Sequence, residues 1–205
     1  GFVHAERDPD FVISLGGDGT FLIAERKMPG VPKLLVRDSL ICFKCHDESL
    51  AEMLDIVNEG RGTIVELPKL KAEAAGAGRT AVNDIVVRNR DPRHALRFRL
   101  SVDGKPVDDV LIGDGVIAAT PFGSTGYYRS VARETLDEGI GVAFNNLTTP
   151  REPMRLSADA RIELHITRSQ ATVSSDNHPD LQTLEEGDTV TISAADEIAR
   201  MVGHR

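Results

Sequence analysis

From residue 61 to residue 194 the chain is a succession of short apolar runs broken by Gly, Asp and Pro, and this texture narrows the fold more than any other feature. The runs fall at 63–67, 81–87, 95–102, 110–112, 116–119, 161–166, 171–174 and 189–192. Runs of this length between turn residues read as strands. Leu96, Phe98, Leu100 and Val102 alternate with Arg97, Arg99 and Ser101, the period-two pattern of a sheet with one wet face. Val102-Asp103-Gly104-Lys105-Pro106 reads as a hairpin turn and residues 72–78, rich in Ala and Gly, as a hairpin tip. Residues 1–60 have a different texture, strand alternating with helix: a strand at 11–15, a helix after Thr20, a strand at 33–36, and a helix at 47–58 with Leu50, Met53, Leu54 and Val57 on one face. Asp47 and Glu48 are expected to cap that second helix, while Gly60 and Gly62 stop it and mark a domain boundary. The expected class is α/β plus β.

Within the first part, Phe11-Val12-Ile13-Ser14-Leu15 runs directly into Gly16-Gly17-Asp18-Gly19-Thr20. Glycines remove the Cβ atoms that would hold a backbone away from phosphoryl oxygens, and they allow the positive φ at which amide N–H groups converge. A helix starting after the turn adds the positive end of its dipole, and Asp18 sits where a hydroxyl could lose a proton. A strand-to-helix turn that simply needs small residues would look the same. A second cluster, Thr120-Pro121-Phe122-Gly123-Ser124-Thr125-Gly126-Tyr127-Tyr128-Arg129-Ser130, concentrates hydroxyl groups and bare backbone after an apolar run. Such donors suit a ribose or a phosphate, although Ser and Thr also serve as ordinary helix caps.

These clusters, with Asn83-Asp84 between them, resemble the NAD kinase family, whose marks are Gly-Gly-Asp-Gly-Thr, a later Asn-Glu or Asn-Asp on a strand, and Thr-Pro-x-Gly-Ser-Thr-Ala-Tyr. Diacylglycerol kinases, sphingosine kinases and phosphofructokinases carry a similar first motif. The third is more specific, and Asp114-Gly115 ahead of it also fits. The resemblance spans residues 11–130, with an echo at Val173-Ser174-Ser175-Asp176. It implies a small Rossmann-like α/β N-terminal domain, residues 1–60, to which residues 195–205 return. A β-sandwich-like NAD-binding domain, residues 61–194, follows, with the active site in the cleft between the two.

The implied reaction is phosphoryl transfer from ATP or polyphosphate to the 2′-hydroxyl of the adenosine ribose of NAD, giving NADP. By this resemblance Asp18 orients or deprotonates the hydroxyl, and Gly16, Gly17, Gly19 and Thr20 hold the donor phosphates. Mg2+ is bound mainly through those phosphates, with no protein ligand assigned. Phe43 takes the place of the family's phenylalanine, Asn83 and Asp84 fix a ribose, and Asp114 binds the nicotinamide end. Thr120, Ser124, Thr125, Gly126, Tyr127 and Ser130 line the adenine and ribose side. His46, His94, His165 and His178 lie outside these motifs and are expected to be structural, although His178, just after the echo, could approach the cleft. A strand carboxylate facing water is the plainer reading of Asp84.

Several positions depart from the family pattern. Leu35, Arg37 and Ser39 stand where it has Gly, Asn and Gly. Phe122 replaces a small or hydroxylated residue, and its ring is expected to face the adenine pocket, the alternative being a ring packed under the loop as core; Gly126 replaces Ala. Val131-Ala132-Arg133 follows Ser130 in place of Ala-Gly-Gly. Family members also begin with a further strand and helix, whereas ten residues precede Phe11 here; unless the chain is incomplete, the expectation is a pared-down first domain completed by a homo-oligomer.

Cys42-Phe43-Lys44-Cys45-His46 matches the attachment pattern of c-type haem, but the chain shows no export signal. A zinc half-site or redox dithiol is limited by the absence of a second cysteine pair. The family resemblance, which puts Phe43 on the family's phenylalanine, implies instead that Cys42 fills the small-residue position before it as a buried, inert thiol. A formal charge of −8, scattered Lys and Arg, and no Trp argue against nucleic acid as a partner. No apolar run reaches the length of a membrane span, and the expected compartment is the cytoplasm. A lipid or sugar kinase, a non-catalytic NAD-binding module and a structural oligomeric protein are the competing readings.

Overall fold

The structure is a computed structural model and describes residues 2–204 except Glu6, Ile41, Phe43, His46 and Ala75, with His204 described by its backbone alone. The chain divides into two compact units, Gly1–Leu67 with Glu197–Arg205, and Pro68–Asp196. In the first unit, β1 (Val12–Gly16) and β2 (Lys33–Arg37) are parallel, with Val12 opposite Lys33 and Gly16 opposite Arg37. Between them runs α1 (Asp18–Lys27). After α2 (Leu50–Asn58) comes β3 (Gly62–Ala74), and the last strand, β15 (Thr189–His204), adds to β2 in parallel through Met201 and Lys33. Leu34, Val36, Met53, Ile56 and Val202 form this unit's core, with Leu54 and Val57 packed against it.

Two local features differ from expectation. Helix α1 starts at Asp18, not after Thr20, so the carboxylate lies inside the helix's first turn. Helix α2 is capped by Ser49, not by Asp47 or Glu48: the Ser49 hydroxyl accepts from Glu52 N–H, while the Glu52 carboxylate accepts from Ser49 N–H. That reciprocal pair satisfies two otherwise orphaned donors, which a bare acid earlier in the chain does not. At its other end α1 is tied to β2 by a buried ion pair, in which Lys33 donates to Glu25 and to the Met28 carbonyl oxygen.

The second unit is a β-sandwich. One sheet orders its strands β11 (Met154–Leu156), β10 (Ile140–Asn145), β9 (Gly115–Ala119), β5 (Asp84–Asn89), β13 (Ala171–Ser175) and β14 (Gln182–Leu184). The opposing layer includes β6 (Leu96–Val102), the hairpin strand β7 (Lys105–Pro106), β8 (Leu111–Gly113) and β12 (Ile162–Arg168), together with the start of β15. A further hairpin joins β3 to β4 (Ala77–Ala81). Phe98, Leu100, Leu164 and Ile192 from one layer meet Ile85, Val87, Val116, Val142 and Val173 from the other, which buries the alternating face read from residues 96–102. The hairpin at Asp103 and Gly104 is present, both with positive φ, as a tight two-residue turn requires.

The outer face of the first sheet is covered by α3 (Tyr127–Ala132), where Tyr128 and Leu136 pack on Val86, Ile117 and Ala143. Strand β10 is missing from the sequence reading because it is buried on both faces and shows no alternation. No described helix is long and apolar enough to cross a membrane.

Candidate functional site

The glycine turn in the first unit is built by close packing. Gly16 has φ +148°, and a Cβ there would lie 2.3 Å from Thr20 Oγ1, so any side chain would force the turn open. Gly17 is the extended residue before α1, which leaves Asp18, Gly19 and Thr20 as the helix's leading residues at the positive end of its dipole. The Asp18 carboxylate accepts from Lys44 N–H at 3.1 Å, and the Cys42 sulfur lies 3.0 Å from the same oxygen. Cys42 and Cys45 are joined in a disulfide, which corrects the expectation of an inert buried thiol. The half-buried Lys44 ammonium is lowered from its ordinary pKa chiefly by burial, against the opposing pull of the Asp18 charge. A cation thus stands beside the carboxylate at the phosphate-type turn, a residue that the sequence reading did not single out. Phe43 lies outside the described residues.

In the second unit, Asn83 and Asp84 do not sit within one strand as expected from the run 81–87. β4 ends at Ala81, the chain bends, and β5 starts at Asp84. Asp176 causes the bend. Its carboxylate accepts from the N–H groups of Val82 at 2.8 Å, Asn83 at 2.8 Å and Asp84 at 3.2 Å, and so takes the place of ladder partners. Asp84 is buried, not facing water, and its pKa is pushed up to about 7 by burial first and by the Asp176 charge second. Asp176 is also raised, because burial outweighs its three N–H donors and the charge of Lys69. Beside them, Asn83 Oδ1 is buried and has no hydrogen-bond partner among the described residues. An amide oxygen in that state is an acceptor waiting for a donor.

The 120–126 segment is pressed onto this bend. Thr120 N–H donates to the Asn83 carbonyl at 2.9 Å, and a Cβ on Gly123 would lie 2.0 Å from that carbonyl oxygen. Thr120 and Ser124 are buried beneath the segment: Thr120 Oγ1 donates to the Val82 carbonyl at 2.5 Å, and Ser124 Oγ donates to the Pro121 carbonyl at 2.8 Å while accepting from Leu136 N–H. Their hydroxyls are committed to backbone and brace the loop. Phe122 is 8% exposed, so its ring is buried. Thr125, Gly126, Tyr127 and Ser130 stay accessible on the outer side. Asp114 stands apart, just before the start of β9 and roughly 16 Å along the strand from Ala119. There it accepts from Asn146 and Asn89, near the Asn145 amide that donates to the Tyr127 hydroxyl.

Residues 82–203 match the ATP-NAD kinase C-terminal domain, more than half of the chain. The chain belongs to the NAD kinase family. An NAD kinase of Thiobacillus denitrificans is 32% identical over 205 residues, covering 92% of this chain and 69% of that protein. An NAD kinase of Sulfurisphaera tokodaii is 34% identical over 157 residues, 73% of this chain; the matched part spans 60% of that relative's length. In fold, the chain is similar to yeast NADH kinase complexed with NADH, with a TM-score of 0.87 at 22% identity, covering 96% of this chain and 62% of that one.

Within this NAD kinase family chain, the residues that sequence reasoning missed are Lys44 and Asp176. Asp176 left a signal in the echo at residues 173–176, and its positive φ of 48° is the backbone state that Asp and Asn tolerate best in such a turn. Lys44 left none, because a lone lysine between two cysteines has no periodicity to mark it. His178 is held by Arg79, whose guanidinium approaches Nδ1 at 2.9 Å, and is thereby a structural residue of the second unit. His94 and His165 are surface groups that pair with Asp91 and Thr189.

Proposed function

We propose that this protein phosphorylates the 2′-hydroxyl of the adenosine ribose of NAD, with ATP or polyphosphate as donor, to give NADP. The 2′-oxygen attacks the terminal phosphorus, the bond to the leaving ADP or shortened polyphosphate breaks, and the hydroxyl proton passes to the Asp18 carboxylate and on to water. Positioning and charge supply most of such a reaction. In this reading Gly16, Gly17, Gly19 and Thr20 cradle the donor at the positive end of α1, and Lys44 adds a cation beside it. The observation that carries the reading is the buried Asn83 Oδ1, which has no hydrogen-bond partner among the described residues and precedes Asp84 in the chain. An amide oxygen and a carboxyl on consecutive residues offer groups that can pair with the two hydroxyls of a ribose. The family description, ATP-NAD kinase, favours ATP as the donor.

Mg2+ fits this site only through the donor. Asp18 is accompanied by sulfur and not by further carboxylates, which is not the hard-oxygen cage that Mg2+ requires of a protein site. Held by donor phosphates, the ion would supply charge neutralisation, while Asp18, Lys44 and the turn orient the hydroxyl and the phosphate. The purified protein with NAD, Mg2+ and either donor should form NADP, and Asp18→Asn should lower the rate by at least ~10²-fold, the low end for loss of a general base. No NADP with either donor would refute the reading.

A further inference from the structure

The Cys42–Cys45 pair has no part in the proposed reaction, yet it is built onto the glycine turn. Besides the approach of the Cys42 sulfur to Asp18 Oδ1 at 3.0 Å, the Cys45 sulfur lies 3.6 Å from the Gly16 carbonyl oxygen, and Cys45 N–H points at the Cys42 sulfur at 3.1 Å. One ligand atom from each of Asp18, Cys42 and Cys45 falls within 4.8 Å of the other two, with Cys42 buried and the other residues half-buried. We propose that reduction of this disulfide opens a three-ligand site, completed by Asp18, for one thiophilic divalent cation such as Zn2+.

The chemistry selects the cation and the redox state together. A disulfide sulfur is not a thiolate and offers no strong metal bond, so the oxidised protein has no site. A dithiol reductant delivers two electrons and two protons, leaving two cysteine thiols and its own cyclic disulfide. Zn2+ then displaces both thiol protons to solvent and forms two Zn–S bonds and one Zn–O bond, with water in the fourth position. Sulfurs of a tetrahedral zinc site lie roughly 3.7 Å apart, a separation that the two intervening residues of a Cys-x-x-Cys loop accommodate once the S–S bond is open. The carboxylate substitutes for the second cysteine pair that the sequence lacks. Soft sulfur ligands favour Zn2+ over Mg2+, which keeps this site distinct from a phosphate-held Mg2+. The consequence for turnover rests on the proposed function: a carboxylate coordinated to zinc no longer accepts the hydroxyl proton.

The wild-type chain supplies its own control. Protein reduced with dithiothreitol and desalted without air is titrated with Co2+, and the same protein left oxidised is titrated in parallel. Reduced protein should bind one Co2+ per chain with a thiolate-to-cobalt charge-transfer absorption, and Zn2+ should displace it, following the order of divalent affinities. Oxidised protein and the Cys42→Ser/Cys45→Ser variant should show no such band, and Asp18→Asn should bind at least ~10-fold more weakly, since even partners behind the ligands cost that much. Absence of the band in reduced wild type overturns the proposal, as does Asp18→Asn binding Co2+ as tightly as wild type. NADP formation is followed in the same samples and should fall at least ~10-fold when Zn2+ loads the reduced protein. Failure of the metal-free protein to form NADP would strike the proposed function and leave the metal result standing.

Discussion

Asp84 shows what a single buried carboxyl does to this protein. In the fold it titrates at about 7, against about 4 for an ordinary carboxyl in the unfolded chain. Between those values the folded protein keeps a proton that the unfolded chain has released. The stability from this group is therefore full below about pH 4 and is lost as pH rises through 7. Asp176 shares the site, so protons leave the pair in coupled steps. Asp84→Asn cannot ionise. Denaturant melts should find the variant more stable than wild type at about pH 8, with a ceiling of about 4 kcal/mol set by three pKa units, and should find the advantage gone by about pH 4. An equal gap at both pH values would show that Asp84 does not titrate as its burial demands. Phe122 is a second residue-scale case. Its burial predicts that Phe122→Ala loses about 3 kcal/mol of stability to a cavity, while calorimetric titration finds NAD affinity unchanged. A clear change in NAD affinity at full stability would return the ring to the ligand.

At the scale of elements, the Glu25–Lys33 pair joins the end of α1 to the start of β2, and both side chains are almost wholly buried. Removing one partner takes the opposite charge away from the other inside the protein. Lys33→Met should thus cost about 3 kcal/mol or more in chemical denaturation, whereas Glu25→Leu combined with Lys33→Met should recover most of that loss. A single variant as stable as the double would mean that the pair is not buried in solution. This pair was not legible in the chain, because nothing in an isolated Lys or Glu reports which partner the fold will supply. The sheet of residues 96–102 was legible, because one wet face imposes alternation. β10, covered on both faces, had none to read. The same contrast runs through the site: Gly16 and Gly123 were visible as glycines, but only the structure shows that Thr20 and the Asn83 carbonyl occupy the space a side chain would need. Asn83-Asp84 was readable as a motif, while the bend that presents it depends on a carboxylate 92 residues away.

For the molecule as a whole, 32 acidic residues against 24 basic ones leave a formal charge of −8, and the proposed donors are polyanions. The attraction available at the turn, from the α1 dipole and Lys44, acts over a few Å and fades beyond the first helical turn. Approach from a distance is governed instead by net charge, which repels. That repulsion reaches about 30 Å at 0.01 M ionic strength and about 10 Å at 0.1 M. Raising KCl across that interval at fixed free Mg2+ should therefore lower the donor KM by about two- to fivefold while leaving kcat nearly constant, the sign opposite to that of a basic anion-binding groove. Polyphosphate, the more highly charged donor, should respond more steeply than ATP. Initial rates of NADP formation over a salt series with each donor measure both slopes. A KM that rises with salt would show that the local cation and helix dipole dominate the approach, and would sink the net-charge argument.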